Sequence, residues 1–251
     1  MICSINPKAL LNENEIFDLI KRFHTSGDTV VKGNRNEIKF FKNELYSCNI
    51  KSFKKPIFIN KIIYSYLRKS KAERSFEYGM LLTERGIGTP KPIAYVEKFD
   101  WIGLTESFYF CEHITFDFMF RDLVEMENFP NLENILRQFT RFSFDLHEKG
   151  IEFLDHSPGN TLIKETSVGN YDFLLVDLNR MRFHQEMTFN MRMKNLRKLV
   201  TRNEMIVIMS EEYSKLYHKS YDETVAKLRF YTTKFQQKHY KKLRIKSFFK
   251  N

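Results

Sequence analysis

The hydrophobic period of this chain changes once, near Cys111–Ile114, and that change limits the fold more than any other feature. Before it, short runs rich in β-branched and aromatic residues alternate with turn residues. Thr29–Val31, Glu37–Phe41 and Leu45–Ile50 form one series, and Pro92–Glu97 and Thr105–Cys111 a second. These five runs read as strands, with Lys32–Asn36, Lys42–Glu44 and Asp100–Gly103 as turns. A short amphipathic helix is expected over 13–24, with Ile16, Leu19, Ile20 and Phe23 on one side. A second helix is expected over 70–85. Ser70 can cap it, Ala72, Phe76 and Met80 recur one turn apart, and Gly86 and Gly88 stop it. After Glu112 the helical period takes over, at 116–127, 132–149, 186–200, 203–217 and 221–242. One hairpin interrupts it, from Asn160–Lys164 to Tyr171–Val176 around Val168-Gly169-Asn170. The pattern predicts an α+β chain. Residues 1–111 form a five-stranded sheet with one main helix, and residues 112–251 form a mostly helical body.

Composition supports a packed interior: 42% of the 251 residues are hydrophobic and 25 are Phe. Only 9 Gly and 6 Pro exclude a fibrous or linker-like chain. No run of about 18 apolar residues is present, so no transmembrane helix is expected. Pro7, Lys8, Asn12, Glu13 and Glu15 break up any apolar core of a secretory signal. Cys3, Cys48 and Cys111 are far apart and odd in number, which fits a reducing cytoplasm better than a disulfide framework. The net charge of +10 is unevenly spread: residues 226–251 hold nine Lys/Arg and no acid. Residues 51–74 hold eight Lys/Arg and one acid, Glu73. Such clusters bind nucleic acid, anionic membrane or acidic substrates, or simply solvate a helix face.

The chemistry concentrates in Leu154-Asp155-His156-Ser157-Pro158-Gly159-Asn160. Asp155 and Asn160 flank a Pro/Gly loop, and Asp177 ends the apolar run Phe173–Val176. The hairpin would set Asn160 beside Asp177, where an amide oxygen and a carboxylate can hold Mg²⁺. Asp155 could accept a proton from an attacking hydroxyl. Phosphoryl transfer needs this set: one base, two metal ligands and a cation on the nucleotide phosphates. Taken alone, Asp-x-x-x-Gly-Asn is also good turn chemistry. The first half supplies the missing cation. Lys51 ends the third expected strand and Glu77 lies mid-helix in 70–85, where the two can pair; Lys54, Lys55 and Glu73 compete for these roles. Gly33 and Arg35 sit in the first turn, where a phosphate-covering loop belongs, although it has one glycine rather than three.

Six segments share both order and local wording with a known family. They are Ile50–Lys54, Ser70–Glu77, Gly86–Ala94, His147–Ile151, Asp155–Asn160 and Val176–Arg180. Together they resemble bacterial lipopolysaccharide core kinases, the Kdo and heptose kinases with a protein-kinase-like, two-lobed fold. The resemblance spans about 28–182, and no motif in 183–251 matches. It implies an N-lobe over 1–111 and a C-lobe over 112–251, with ATP and Mg²⁺ as cofactors. It makes Asp155 the catalytic base, Asn160 and Asp177 the metal ligands, and Lys51 the phosphate grip oriented by Glu77. Glu112-His113-Ile114 becomes the hinge that touches adenine. The implied reaction is phosphorylation of a lipopolysaccharide inner-core sugar, Kdo on lipid A being the expected acceptor. The enzyme would then be cytoplasmic and peripheral on the inner face of the inner membrane, with its basic segments against anionic lipid. Two departures stand out. Phe153-Leu154 precede Asp155 where protein kinases have His-Arg, and Asp177-Leu178-Asn179 replaces Asp-Phe-Gly. Both favour a small-molecule acceptor over a regulated protein kinase. Two rivals stay open: a kinase of another acceptor, and a nucleic-acid binder stacking bases on Phe230, Tyr231, Phe235 and Tyr240. No recognised nucleic-acid motif is present, so nucleic acid is not the expected partner.

Overall fold

The computed structural model describes residues 1–33, 36–55 and 68–248. The chain divides into two compact units, Met1–Thr115 with Asp177–Asn179, and Phe116–Val176 with Arg180–Asn251. The fold is α+β, with a β-rich N-terminal sheet and a helical C-terminal region. Among the described residues no helix is long and apolar enough to cross a membrane.

In the first unit the strands are β1 (Ile2–Ile5), β2 (Asp28–Lys32), β3 (Asn36–Lys42), β4 (Ser47–Phe53), β5 (Pro92–Phe99) and β6 (Leu104–Glu112). They form one antiparallel sheet in the order β1-β5-β6-β4-β3-β2. Among the described residues the sheet therefore has six strands rather than the expected five. The extra one is the terminal Ile2–Ile5, which pairs along β5 from Ile2↔Glu97 to Ile5↔Ala94. β4 also begins later than expected. The Asn43 side chain accepts from the amides of Leu45 (2.9 Å) and Tyr46 (2.8 Å), which draws both residues into the turn.

Helix α1 (Glu13–Arg22) opens with a reciprocal cap. Asn12 Oδ1 accepts from the Glu15 amide (3.1 Å), and the Glu15 carboxylate accepts from the Asn12 amide (2.8 Å). Its buried Ile16, Leu19 and Ile20 pack with Phe23, Cys48, Ile50, Phe108 and Phe110 on one face of the sheet. Strand alternation places Phe53 and Tyr109 on the opposite face, where they pack with Ala72 and Phe76 of α2 (Lys71–Glu84). Gly79 permits this approach: a Cβ there would lie 2.5 Å from Pro92 Cγ.

The second unit is built around α4 (Leu132–Glu148), whose Leu132, Ile135, Leu136 and Phe139 face a continuous core. The stretch 116–127, expected as one helix, splits into β7 (Phe118–Met119) and α3 (Phe120–Glu125). The Asp122 carboxylate accepts from the Met119 amide (2.7 Å), so the helix starts late. Before it, Phe118 pairs with Ile163. The hairpin forms as β9 (Thr161–Ser167) and β10 (Asn170–Leu175). The region holds more strand than that single hairpin, because β7 joins β9, and β8 (Ile151–Phe153) pairs with β11 (Met181–Phe183).

Gly150 ends α4 in the left-handed region (φ 68°), with its carbonyl accepting from the His184 amide (2.8 Å). A Cβ there would fall 2.0 Å from the His184 carbonyl oxygen, so only glycine fits. Helices α5 (Phe189–Leu196), α6 (Asn203–Tyr217) and α7 (Tyr221–Phe248) follow. α7 runs past the expected 242. Its last turns carry Lys241, Lys242 and Arg244, which suit the negative end of a helix dipole.

Candidate active site

The candidate residues fall into two groups, one in each unit. In the first, Lys51 lies in mid-β4, paired with Ile38 on one side and Tyr109 on the other. It shares the sheet face of Phe53, whose ring centroid is 5.3 Å from its Nζ. Its ammonium donates to Asp177 Oδ1 at 2.8 Å, a contact between residues 126 apart in sequence, and the Lys51 side chain is only 12% exposed.

Asp177 adopts φ 59°, a conformation uncommon for a residue with a side chain. The segment around it is held firmly. Asn179 Nδ2 donates to Asp177 Oδ1 (2.6 Å), and buried Arg74 of α2 donates to the Asn179 carbonyl (2.8 Å). Arg74 Nε also donates to the Ser70 carbonyl (3.2 Å), which ties the Asp177 turn to the capped start of α2.

The expected Lys51–Glu77 pair does not form. Glu77 accepts a hydrogen bond from Lys69, which also lies 3.6 Å from Glu73. Lys69 lies just before the Ser70 cap, and Glu73 and Glu77 sit one turn apart on the helix, so one side chain reaches both carboxylates. The Glu77 hydrogen bond raises the Lys69 pKa above its ordinary value. Lys51 takes Asp177 in place of Glu77. Gly33 lies in the β2–β3 turn, where its amide donates to the Asn36 carbonyl (3.0 Å). Arg35 lies outside the described residues, as do residues 56–67 of the basic stretch. Glu112 ends β6 with its amide donating to the Lys91 carbonyl (2.9 Å), and Ile114 follows in irregular chain.

The second group surrounds Asp155. Lys198 donates to Asp155 Oδ1 (3.0 Å) and to the Leu154 carbonyl (3.2 Å), and Arg180 Nη1 stands 3.8 Å from Oδ2. The carboxylate is therefore flanked by two cations while remaining a third exposed. Asn160 closes the short 3₁₀ turn Pro158–Asn160 rather than starting a strand. Its Nδ2 donates to the Asp155 carbonyl (2.8 Å), and its own carbonyl accepts from the Val176 amide (3.0 Å), one residue before Asp177. The amide nitrogen is thus spent on the loop, which leaves the amide oxygen as the end able to meet a cation.

Beneath Asp155 lies a buried polar knot. Asn195 Nδ2 donates to the Phe153 carbonyl (2.9 Å), which fixes the amide's orientation. Asn195 Oδ1 then accepts from His147 Nε2 and His156 Nδ1, each at 3.2 Å. With Nε2 donating, His147 Nδ1 is left to accept from the Tyr213 hydroxyl (2.9 Å). Both imidazoles are therefore neutral. Burial lowers their pKa values, to about 3 for His147 and about 4 for His156. Neither Asn195 nor Lys198 carried a sequence signal, since both lie beyond the last recognisable motif. Arg74 was legible only as one charge in a basic stretch.

Among the described residues no group of three or more His, Cys, Asp or Glu side chains could hold a metal ion. Of the two expected metal ligands, Asp177 carries a carboxylate in the first unit and Asn160 an amide oxygen in the second, both oxygen donors of the kind magnesium takes.

A solved structure, WaaP in complex with acyl carrier protein, matches over 95% of this chain and 99% of that one. The TM-score is 0.63 and the sequence identity 16%. The fold is kinase-like. No family model and no curated protein matches the sequence.

Proposed function

We propose that this chain is an ATP- and Mg²⁺-dependent phosphotransferase acting on a sugar hydroxyl of the lipopolysaccharide inner core, Kdo or heptose on lipid A. The observation that carries the reading is the Lys51–Asp177 contact. It joins a lysine from mid-sheet to an aspartate held in a left-handed turn after a strand. The fold shared with WaaP and the six resembling segments support the acceptor class.

In this reading Lys51 holds phosphate oxygens, Gly33 lies in the turn that covers them, and Glu112 and Ile114 offer backbone edges to adenine. Glu77 keeps Lys69 at the start of α2, whose Arg74 braces the Asp177 turn. Asp177 and Asn160 would supply oxygen donors to magnesium, which when bound would neutralise phosphate charge. The acceptor oxygen bonds to the γ-phosphorus, the bond from that phosphorus to the bridging oxygen breaks, and ADP leaves with the electron pair. Asp155 takes the hydroxyl proton. Lys198 fixes the Asp155 carboxylate through one oxygen, and Arg180 adds positive charge beside the other.

The test is phosphate transfer from labelled ATP to deep-core lipopolysaccharide, compared with lipid A lacking Kdo. Asp155→Asn should lower turnover by about 100- to 10,000-fold while ATP binding persists. Transfer at the wild-type rate by that variant would refute the assignment of the base. Transfer to lipid A lacking Kdo, or to neither substrate, would refute the acceptor.

A further inference from the structure

Three cations gather on the Asp155–Asn160 loop of the second unit, and the chemistry above uses two of them. Lys198 and Arg180 stand at the two oxygens of Asp155, at 3.0 and 3.8 Å. The third is Arg121, in the first turn of α3. That helix is anchored by Phe120 and Leu123, both fully buried, and the Phe120 ring centroid lies 4.4 Å from that of Phe139. Arg121 is left on the exposed side, and its guanidinium lies over Gly159, in the middle of the turn that carries Asn160.

Gly159 makes that contact possible. A Cβ on residue 159 would lie 2.2 Å from Arg121 Nη2 and 3.1 Å from its Cζ, so the guanidinium fills the space that another residue's side chain would take. The backbone itself does not call for glycine there, because Gly159 is not among the residues with positive φ. What the missing side chain provides is room for Arg121.

The charges on this loop are unbalanced. Among the described residues Arg121 has no hydrogen-bond or ion-pair partner. Asp122 beside it is already engaged, accepting from the Met119 amide (2.7 Å). Asp155 is shared between Lys198 and Arg180, so three cations face one carboxylate. A placed but unpaired guanidinium suits a planar anion with two oxygens, which it meets with two parallel N–H donors. In the phosphotransferase reading Lys51 and magnesium answer the nucleotide phosphates, and Asp155 receives the acceptor hydroxyl. An anion met on the Asp155 loop then belongs to the acceptor. The phosphates of lipid A sit on neighbouring sugars, whereas a sugar acid carries its carboxylate on the sugar that is phosphorylated.

We infer that Arg121 is a specificity-determining residue: its guanidinium binds a carboxylate on the same sugar as the accepting hydroxyl, so the site takes a sugar acid and discriminates against a neutral sugar. The inference rests on the phosphotransferase reading and supplies a physical cause for choosing between its two acceptors, since Kdo has such a carboxylate and heptose has none.

The experiment compares deep-core acceptor bearing Kdo with the same acceptor after its Kdo carboxylate is converted to the carboxamide. Binding of each is measured by calorimetry without ATP, and kcat/KM with labelled ATP. Wild type should bind and phosphorylate the carboxylate form about 10- to 100-fold better. Arg121→Gln should lose that preference, with a raised KM for the carboxylate form, little change on the carboxamide and an unchanged KM for ATP. Arg121→Lys should recover only part of it, because it restores the charge and not the fork. Gly159→Ala should act in the same direction, since its methyl group displaces the guanidinium. Circular dichroism on each variant confirms that the fold is retained. Equal binding of the two forms by wild type would overturn the inference. So would equal losses on both forms in Arg121→Gln, which would leave Arg121 a loop-packing role. A KM for ATP raised in step would assign Arg121 to the nucleotide and overturn it as well. Loss of the preference on acceptor stripped of its lipid A phosphates would mean that Arg121 reads phosphate, which overturns the carboxylate. Absence of transfer by wild type to either form would refute the phosphotransferase reading, and the binding comparison then decides Arg121 alone.

Discussion

Lowering the pH from about 8 to about 5 should destabilise this protein mainly through His147 and His156. Both are essentially inaccessible to solvent, at 0% and 1% exposure, and burial holds both imidazoles neutral against the opposing pull of their Asn195 hydrogen bonds. Their folded pKa values are depressed, to about 3 and about 4, while in the unfolded chain a histidine titrates near 6.5. The unfolded state therefore binds more protons as the pH falls below about 6.5, and stability declines from there down to the folded values. At about pH 5 each histidine costs about 2 kcal/mol, or about 4 kcal/mol for the pair, against a typical total of about 5–15 kcal/mol. The figure is insensitive to the folded pKa values, because at that pH the folded imidazoles remain largely unprotonated and the unfolded ones set the cost. The carboxylates whose pKa values shift do not act in one direction: burial raises Glu97. Glu211, held down to about 2 by Lys215 and Arg137, is ionised throughout it in the folded state. The chain has seven histidines, so imidazole NMR titration can follow each one, and urea denaturation across the same range measures the stability. Two resonances should stay neutral to below about pH 5 while the denaturation midpoint falls. All seven titrating near 6.5, or a midpoint flat from about pH 8 to about pH 5, would refute the buried neutral pair.

The Lys51 partnership is testable by double-mutant cycles in denaturant without nucleotide. Lys51→Met with Asp177→Asn should show a coupling of about 1 kcal/mol, and Lys51→Met with Glu77→Gln a coupling near zero. The reverse order would restore the Lys51–Glu77 pair and remove the observed one. Gly150→Ala should destabilise by at least about 2 kcal/mol, since it combines a left-handed backbone with a Cβ driven into the His184 carbonyl. Calorimetry showing an unchanged melting temperature would mean that the α4 terminus relaxes freely.

Hydrophobic period and capping chemistry were enough to read most elements from the sequence. The Ser70 cap, the α1 stripe of Ile16, Leu19 and Ile20, and the turn at Val168-Gly169-Asn170 are all local, and each appears where the pattern puts it. The failures share a cause, which is competition from side chains that periodicity does not weigh. Asn43 pulled Leu45 and Tyr46 out of β4, and Asp122 delayed α3 so that Phe118 and Met119 could pair as strand. β1 was missed because four terminal residues carry too little alternation to stand out, and only their partner β5 makes them a strand. Asp155, Asn160 and Asp177 were legible because a loop and a strand end fix them locally. Lys198 and Asn195 were not, because they approach Asp155 and Phe153 from more than 40 residues along the chain.

The Lys51–Glu77 correction shows why fold-level analogy can place residues without placing their partners. A sheet lysine and a helix glutamate in the right order are both present, yet each has a better partner at hand. Glu77 has Lys69, eight residues earlier and just before the Ser70 cap, so their contact is local to the start of that helix. Lys51 has Asp177, delivered by a turn whose unusual backbone is secured independently by Arg74, the Asn179 side chain and the burial of Leu178. Because that turn is braced without Lys51, the lysine is not needed to build it, and its ammonium stays available to exchange the carboxylate for another anion of similar geometry. A phosphate oxygen is such an anion. A lysine that was itself a structural brace could not make that exchange without cost to the fold, whereas here α2 and Arg74 carry that load and leave Lys51 and Asp177 free to separate.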